Sequence, residues 1–230
     1  MLKNKISIVT ISFNQSKFLE ECINSVIRQN YENLEYIVVD GGSKDNSREI
    51  ISKYEDQIKI IFQETNTGPA DALNLGFKIS KGELCGYINS DDFLLKNSLE
   101  KVNDYFIKYP NVDLIYGNGV IVDETSLFKR RMISLDFNLN HPHRLGRSLI
   151  CQQSTFFRKK VFDKINGFNK DNFRSWDFEF FADAYNSKFK VKRVEDTFGA
   201  FRIYPDSITG NTDKTLSHKI YKRLFFKYFN

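Results

Sequence analysis

Ile6-Ser7-Ile8-Val9-Thr10-Ile11-Ser12-Phe13-Asn14 is an apolar run that ends in a polar turn, and the chain states this theme twice more. Tyr36-Ile37-Val38-Val39-Asp40-Gly41-Gly42-Ser43 ends in an acid and two glycines; Gly86-Tyr87-Ile88-Asn89-Ser90-Asp91-Asp92 ends in two adjacent acids. Short runs rich in β-branched and aromatic residues, closed by turn formers, read as strands. After the first run, Phe18, Leu19, Cys22, Ile23, Val26 and Ile27 recur at steps of one, three and four, the spacing of an amphipathic helix. Strands that alternate with such helices predict βαβ units and a parallel sheet. Ligands of open α/β sheets bind beyond the carboxyl ends of the strands. Three strand ends that carry polar or acidic groups therefore predict one ligand at one sheet edge. Two of those ends are carboxylates, which suits a guest with hydroxyls, a metal ion, or both.

The same reading extends outward. Strands are expected at 6–11, 35–39, 58–62 and 84–88. Helices are expected after Ser43–Asp45 through Tyr54, from Gly68-Pro69 to Gly82, and over Leu99–Tyr109, which Pro110 stops. Beyond Pro110 the rhythm changes. Leu114–Tyr116 and Gly119–Val122 read as strands, then comes a polar stretch rich in Lys and Arg. Helices follow at Lys160–Ile165 and Phe178–Ala184, and short strands near Lys190–Val194 and Phe198–Ile203. The expectation is an α/β chain of one domain in two lobes, 1–110 and 111–212, with a basic tail over 213–230.

Bulk properties narrow the function classes. The 230 residues are 41% hydrophobic and 15% aromatic, enough for a real core. Three widely spaced cysteines, without a C-x-x-C, argue against a disulfide framework or a zinc site and suit a reducing compartment. Met1–Lys5 leads straight into a strand without signal-peptide character, and no apolar run approaches the ~20 residues of a membrane span. A cytoplasmic protein is expected. The net charge of +5 is concentrated from Lys214 onward, which disfavours a nucleic-acid binder, whose basic face is broader. In that tail Leu216, Ile220, Leu224 and Tyr228 form one apolar stripe. It suits peripheral contact with an anionic membrane or packing on the body of the protein. The loop His141-Pro142-His143 has no neighbouring cysteine and reads as a solvent loop.

Taken in order, several segments resemble the family 2 glycosyltransferases, inverting enzymes of the GT-A fold. They are Ser7–Asn14, Ser25–Tyr31, Glu35–Ser47, Gly68–Gly76, Asn89–Asp92, Gln152–Phe157 and Phe201–Gly210. The resemblance implies a mostly parallel nucleotide-binding sheet flanked by helices, with a smaller acceptor-side lobe. It implies a nucleoside-diphosphate sugar donor, UDP-linked at the family level, and a glycan or lipid-linked acceptor, in surface polysaccharide or glycoconjugate synthesis. The implied cofactor is Mn2+ or Mg2+.

The resemblance also assigns residues, each with a local alternative. Asp40 would meet the nucleotide base or ribose, with Thr10, Ser12, Phe13 and Gly42 around it; alternatively Asp40 only forms the turn at Gly41-Gly42. Gly68, Asp71, Ala72, Asn74 and Gly76 match a family pattern that gives Asp71 and Asn74 to the donor; an acid in a first helical turn is also favoured by the dipole alone. The adjacent acids Asp91 and Asp92 repel each other and call for a cation. Asp92 is assigned as the metal ligand and Asp91 to ribose or a metal-bound water; Asn89 stands where the family commonly has Asp. Asp177 aligns with the catalytic base, with Glu179 as runner-up and Trp176 in place of a frequent acid; Asp177 also suits a helix N-cap. Gln152 and Gln153 fall on the acceptor side, where amides suit sugar hydroxyls. Arg202, with Tyr204 and Ser207, falls in a segment that closes over the diphosphate.

Other classes fit less well. A sugar-1-phosphate nucleotidyltransferase would carry a glycine-rich basic loop at Thr10–Asn14, and a Rossmann dehydrogenase a G-x-G-x-x-G after a strand. A non-catalytic carbohydrate-binding relative stays open, against the presence of Asp40, Asp91, Asp92 and Asp177. A processive synthase embedded in the membrane lacks its spans.

Overall fold

The computed structural model describes residues 3–136, 150–205, 207, 222–224 and 226–228. His141, His143, His218 and the tail positions Lys214, Leu216, Lys219 and Ile220 lie outside them. Four strands open the chain: β1 (Ile6–Ser12), β2 (Leu34–Asp40), β3 (Lys59–Phe62) and β4 (Leu84–Asn89). They pair in parallel in the order β3-β2-β1-β4. Between them run α1 (Ser16–Ile27), α2 (Ser47–Ser52) and α3 (Pro69–Ile79). Gly68 starts α3 from φ 95°, which costs a side-chain-bearing residue heavily, and Pro69 follows in the first turn, where its missing N–H is harmless.

The same sheet continues into the second half. β6 (Leu114–Val122), β8 (Thr155–Arg158) and β9 (Val191–Arg202) extend it in the order β4-β8-β6-β9, with the short β5 (Phe93–Leu94) closing on β9 and β7 (Phe128–Met132) on β6. β8 runs antiparallel to both neighbours, while β6 and β9 are parallel. Helices α4 (Ser98–Lys108), α5 (Lys159–Ile165) and α6 (Trp176–Asn186) cover the faces.

Three expectations are revised. The two short strands expected around Gly117 are one strand, as are the two around Glu195; register shifts at Tyr116/Asn118 and Asn118/Gly119 absorb the irregularity that broke the pattern. A Cβ at Gly117 would sit 2.3 Å from the Asp196 carbonyl oxygen, so glycine there permits close backbone approach rather than ending the strand. The Lys/Arg-rich stretch is strand β7, whose exposed side chains hid its period.

Two apolar layers sandwich the sheet. Ile8, Leu19, Ile23, Val26, Leu99, Val102 and Phe106 pack one face, and Val9, Leu73, Phe77, Phe157, Phe162 and Phe180 the other. In the second layer the Phe168 and Phe180 rings stack at 4.3 Å, and Phe157 lies 4.9 Å from Phe180. Each buried ring contributes about 1.5–3 kcal/mol. Phe180 stands one turn after Asp177, so this aromatic cluster fixes where the first turn of α6 points. The three cysteines are buried and free. Among the described residues no helix is long and apolar enough to cross a membrane.

Candidate functional site

A cavity of about 730 Å³ opens where β1 and β4 end. Ser12, Phe13, Gln15 and Gly41 form its first wall, Asn89, Ser90 and Asp91 its floor, and Trp176, Asp177 and Arg174 the opposite side. Its size and mixed lining are those of a small-molecule site. Two oxygens on its walls, Ser12 Oγ and Asn89 Oδ1, are buried and make no hydrogen bond among the described residues. Unpartnered buried polar atoms are costly and call for an explanation, and a bound ligand supplies one.

At the end of β4 the two acids face opposite ways. Asp92 is 1% exposed. Its Oδ2 accepts from Gln153 Nε2 at 2.7 Å and its Oδ1 from the Arg202 backbone N–H at 2.9 Å. Asp91 instead lines the cavity, and one of its oxygens accepts the Tyr204 hydroxyl at 3.0 Å. No cation lies within ion-pair distance of it among the described residues. Burial raises the Asp91 carboxyl above its ordinary value, and Asp92 lies well above its own, through burial first and the neighbouring Asp91 second. The geometry divides the acid pair expected at this strand end. Asp92 is engaged inside the protein, and Asp91 is the carboxylate that meets the cavity.

The first turn of α6 repeats this division. Asp177 lines the cavity and accepts the Phe178 backbone N–H at 2.8 Å. Burial raises its carboxyl above the ordinary range. Glu179 is 1% exposed and does not line the cavity. Its oxygens accept from Asn169 and Asn172 at 3.0 and 2.7 Å and pair with Lys227 and Arg223 at 3.0 and 2.9 Å. Burial pushes Glu179 up, but the bonds from Asn169, Asn172 and Lys227 outweigh it, and the carboxyl ends below its ordinary value. Of the two candidate bases, Asp177 is the one that faces the cavity. Leu224 is fully buried, and Tyr228 donates to Asp183 at 2.8 Å, so the described tail residues pack on α6.

The other expected positions divide the same way. Ser12 and Phe13 line the cavity, and Phe13 is 42% exposed, an aromatic face open to a planar ligand. Thr10 points away, into the α1 side of the sheet, bonded to the Tyr36 hydroxyl at 2.9 Å. Asp40 is fully buried. Its oxygens accept from the Gly42 and Ser43 backbone N–H groups, the Ser43 hydroxyl and Arg48 Nε. It shapes the turn, with Gly42 at φ 87°, and it is Gly41 that reaches the cavity. Asp71 lies in the first turn of α3 beside the lining residues Gly68, Pro69 and Ala72, without lining the cavity itself. Asn74 clamps the Phe168 backbone with both ends of its amide at 2.8 Å, so its role is structural in this geometry. Gln152 and Gln153 do line the cavity, but their amides are engaged with the Tyr87 carbonyl and with Asp92.

Arg202 departs furthest from expectation. It is 1% exposed. Its guanidinium donates to the backbone carbonyls of Asp91, Asp123 and Glu124, to Ser126 Oγ and to Glu21, all at 3.3 Å or less, and stacks on Phe18. Its guanidinium donors are engaged within the protein, and its backbone N–H and Nε hold the acid pair. Two other arginines line the cavity, Arg174 beside α6 and Arg130. Arg130 and Met132 on β7 both line it, and Arg130 makes no ion pair or hydrogen bond among the described residues. The basic stretch signalled its presence; only the pairing of β7 with β6 shows which side chain turns inward. Gln15 and Asn66, also on the wall, carried no sequence signal.

An α/β sheet with acids at one edge and two carboxylates facing one cavity defines a protein that handles a small polar ligand. Comparison with known proteins gives the class. Residues 7–166 match Glycosyl transferase family 2, and the chain belongs to that family. It is 33% identical over 218 residues to an uncharacterized glycosyltransferase of Nostoc sp. (strain PCC 7120), covering 87% of this chain and 65% of the relative. It is 34% identical over 123 residues to glycosyltransferase GlyG of Streptococcus pneumoniae, covering 52% of this chain and 40% of GlyG. The chain thus spans less than two thirds of either relative.

Among solved structures, it superposes on S. aureus TarS 1–349 in complex with UDP-GlcNAc with a TM-score of 0.74 at 19% identity, covering 98% of this chain and 68% of that one. It also matches mannosyltransferase PcManGT of Pyrobaculum calidifontis, in complex with GDP-Man and Mn2+, with a TM-score of 0.69 at 14% identity, covering 90% and 59%. These likenesses are of fold, and the fold is GT-A.

Proposed function

We propose that this family 2 glycosyltransferase transfers one sugar, with inversion, from a nucleoside-diphosphate sugar to an acceptor hydroxyl, and that the donor is UDP-linked. The observation that carries the reading is the pair Asp91 and Asp177. They are the two carboxylates on the cavity wall, and neither forms an ion pair among the described residues. In this reading the base stacks near Phe13 and Gly41, and Ser12 Oγ finds its partner on the nucleotide. Asp177 takes the acceptor proton as the acceptor oxygen bonds to the anomeric carbon and the bond to the diphosphate breaks on the opposite face. A carboxyl raised above its ordinary value is the better base for this step, provided it remains ionised at the working pH. Arg130 takes over from Arg202 as the guanidinium offered to the diphosphate.

The donor set also bears on the metal. Among the described residues no three His, Cys, Asp or Glu side chains converge into a closed cage. Asp91 and the unpartnered Asn89 Oδ1 are hard oxygen donors on one wall. They fit a Mn2+ or Mg2+ ion that completes its shell with water and phosphate oxygens. Bound there, the ion would neutralise charge growing on the leaving diphosphate.

The test is a thermal-shift series with UDP, GDP, dTDP and CDP, each with and without Mn2+. A ligand at 100 times its Kd adds about 2.7 kcal/mol, or roughly 5–10 °C for a chain of this size. A shift with UDP that grows with Mn2+ supports the reading; no shift with any nucleotide rejects it. Lipid-linked acceptors, a role in polysaccharide synthesis and action at the inner face of the membrane remain part of this proposal, with transfer into an accumulating glycan as their assay.

A further inference from the structure

Glu179 and its partners lie outside the cavity, yet they lead back to it. Asn172 is fully buried and works in both directions. Its Nδ2 donates to Glu179 Oε2 at 2.7 Å, while its Oδ1 accepts the backbone N–H groups of Arg174 at 3.3 Å and Ser175 at 3.0 Å. Those two residues are the last before α6, whose second residue is Asp177. On the far side, Glu179 Oε2 accepts Arg223 Nη2 and Glu179 Oε1 accepts Lys227 Nζ. Lys227 also reaches Asp183, one turn further along α6. Asn169 gives Glu179 a fourth donor. A continuous set of hydrogen bonds, charge-assisted at Glu179, therefore runs from the C-terminal segment, through Glu179 and Asn172, to the two peptide groups that set the start of α6.

We propose that Glu179 and Asn172 are positioning residues for catalysis, and that Arg223 and Lys227 of the C-terminal segment complete them, so that docking of this segment sets the place of Asp177 on the cavity wall. The proposal rests on the reading of Asp177 as the base. The physical reason is the state of each group without its neighbour. A buried carboxylate without cations is strongly penalised, and it relaxes by protonation or movement. If Glu179 moves, Asn172 loses its anchor and the N–H groups of Arg174 and Ser175 lose theirs. The aromatic cluster under Phe180 still holds the body of α6. The predicted effect is thus confined to the entry of the helix. A displacement near 1 Å at a reacting group costs about 100-fold in rate without requiring loss of binding.

The test combines two readouts. The first is amide hydrogen exchange over 174–178 in the wild type and in Asn172→Ala, Arg223→Met and Lys227→Met. The second is UDP release from the sugar nucleotide that the wild type turns over fastest in a panel including UDP-GlcNAc with Mn2+, read as kcat and KM. The relay predicts exchange over 174–178 faster by about fivefold or more, the equivalent of one lost net hydrogen bond. It also predicts kcat down by about 10- to 100-fold with KM within about twofold. Arg223→Lys, which keeps a cation beside Glu179 Oε2, should retain most of the kcat that Arg223→Met loses. If Asn172→Ala does not fold, the two tail variants carry the test alone.

Unchanged exchange and unchanged kcat in the tail variants overturn the relay while leaving Asp177 as base. A fully active Asp177→Asn instead overturns the base assignment, and exchange then shows by itself whether the relay exists. A wild type that turns over no sugar nucleotide rejects the transferase reading on which the kinetic arm rests.

Discussion

The end of β4 and the start of α6 are built alike. Each carries two acids close in sequence, Asp91 with Asp92 and Asp177 with Glu179. In each pair one carboxylate faces the cavity and forms no ion pair among the described residues, and the other is 1% exposed and fully engaged. Asp92 is held by Gln153 and the Arg202 backbone, Glu179 by two asparagines and two basic side chains. The two inward acids differ in one respect. Asp92 accepts hydrogen bonds from an amide and a backbone N–H only, and burial and the neighbouring Asp91 raise its carboxyl; Glu179 also pairs with Lys227 and Arg223, and its carboxyl falls. Within a pair, sequence type says little about role, and orientation decides it. The outward acid is available for chemistry and the inward acid organises the wall that presents it.

The largest expected effect breaks the α6 pair. Asp177→Asn should lower transfer by about 100- to 10,000-fold, the usual worth of a general base, while UDP binding by calorimetry stays as in the wild type. Near wild-type transfer would place the base elsewhere. Next is the contrast between the two arginines. Arg202→Met strands several buried acceptors and should cost about 3–5 kcal/mol, a fall in Tm on the order of 10 °C. Arg130→Met removes an exposed side chain and should leave Tm alone while raising the donor KM about tenfold, the loss of one bond to a charged group. Equal Tm values for the two variants would erase the distinction.

A smaller effect comes from the clamp on Phe168. Asn74→Ala should cost about 1–3 kcal/mol in denaturant unfolding, with the donor KM unchanged. A raised KM would return Asn74 to the donor site. The smallest effect is one of sign. The folded-state carboxyl of Asp177 lies above its unfolded value, so between the two values the folded state binds more protons, and stability falls as pH rises through that window. Asp177→Asn should therefore melt slightly above the wild type at neutral pH. That advantage should vanish as pH drops below the ordinary carboxylate range. A Tm difference that grew on acidification would contradict the burial of Asp177.

Much of this was legible in the sequence, and the reason is periodic. β1, β2 and β4 and the helices between them announce themselves because each buries one face or both. The strand-end rule then places Ser12, Asn89 and Asp91 at one edge. What was not legible is direction. Thr10 lies two residues before Ser12 on the same strand, yet it packs on α1 beside Tyr36. Asp40 has the composition of a ligand-binding strand end and is consumed by its own turn. Arg202 looks like an exposed cation after a strand, and it is buried only because the β4 and β6 ends converge on it. Arg130 hides in a strand with no apolar alternation. Roles that depend on which way a side chain turns at a strand end or tight turn emerge from packing between distant segments, which one sequence does not display.

The most direct test of the central division is calorimetric titration of UDP, with and without Mn2+, into the wild type, Asp91→Asn and Asp92→Asn. The account predicts that Mn2+ tightens UDP binding in the wild type and in a folded Asp92→Asn, and that Asp91→Asn loses this effect with its Tm nearly unchanged. Retention of the Mn2+ effect in Asp91→Asn, with its loss in Asp92→Asn, would show that the inward acid is the ligand and contradict the account.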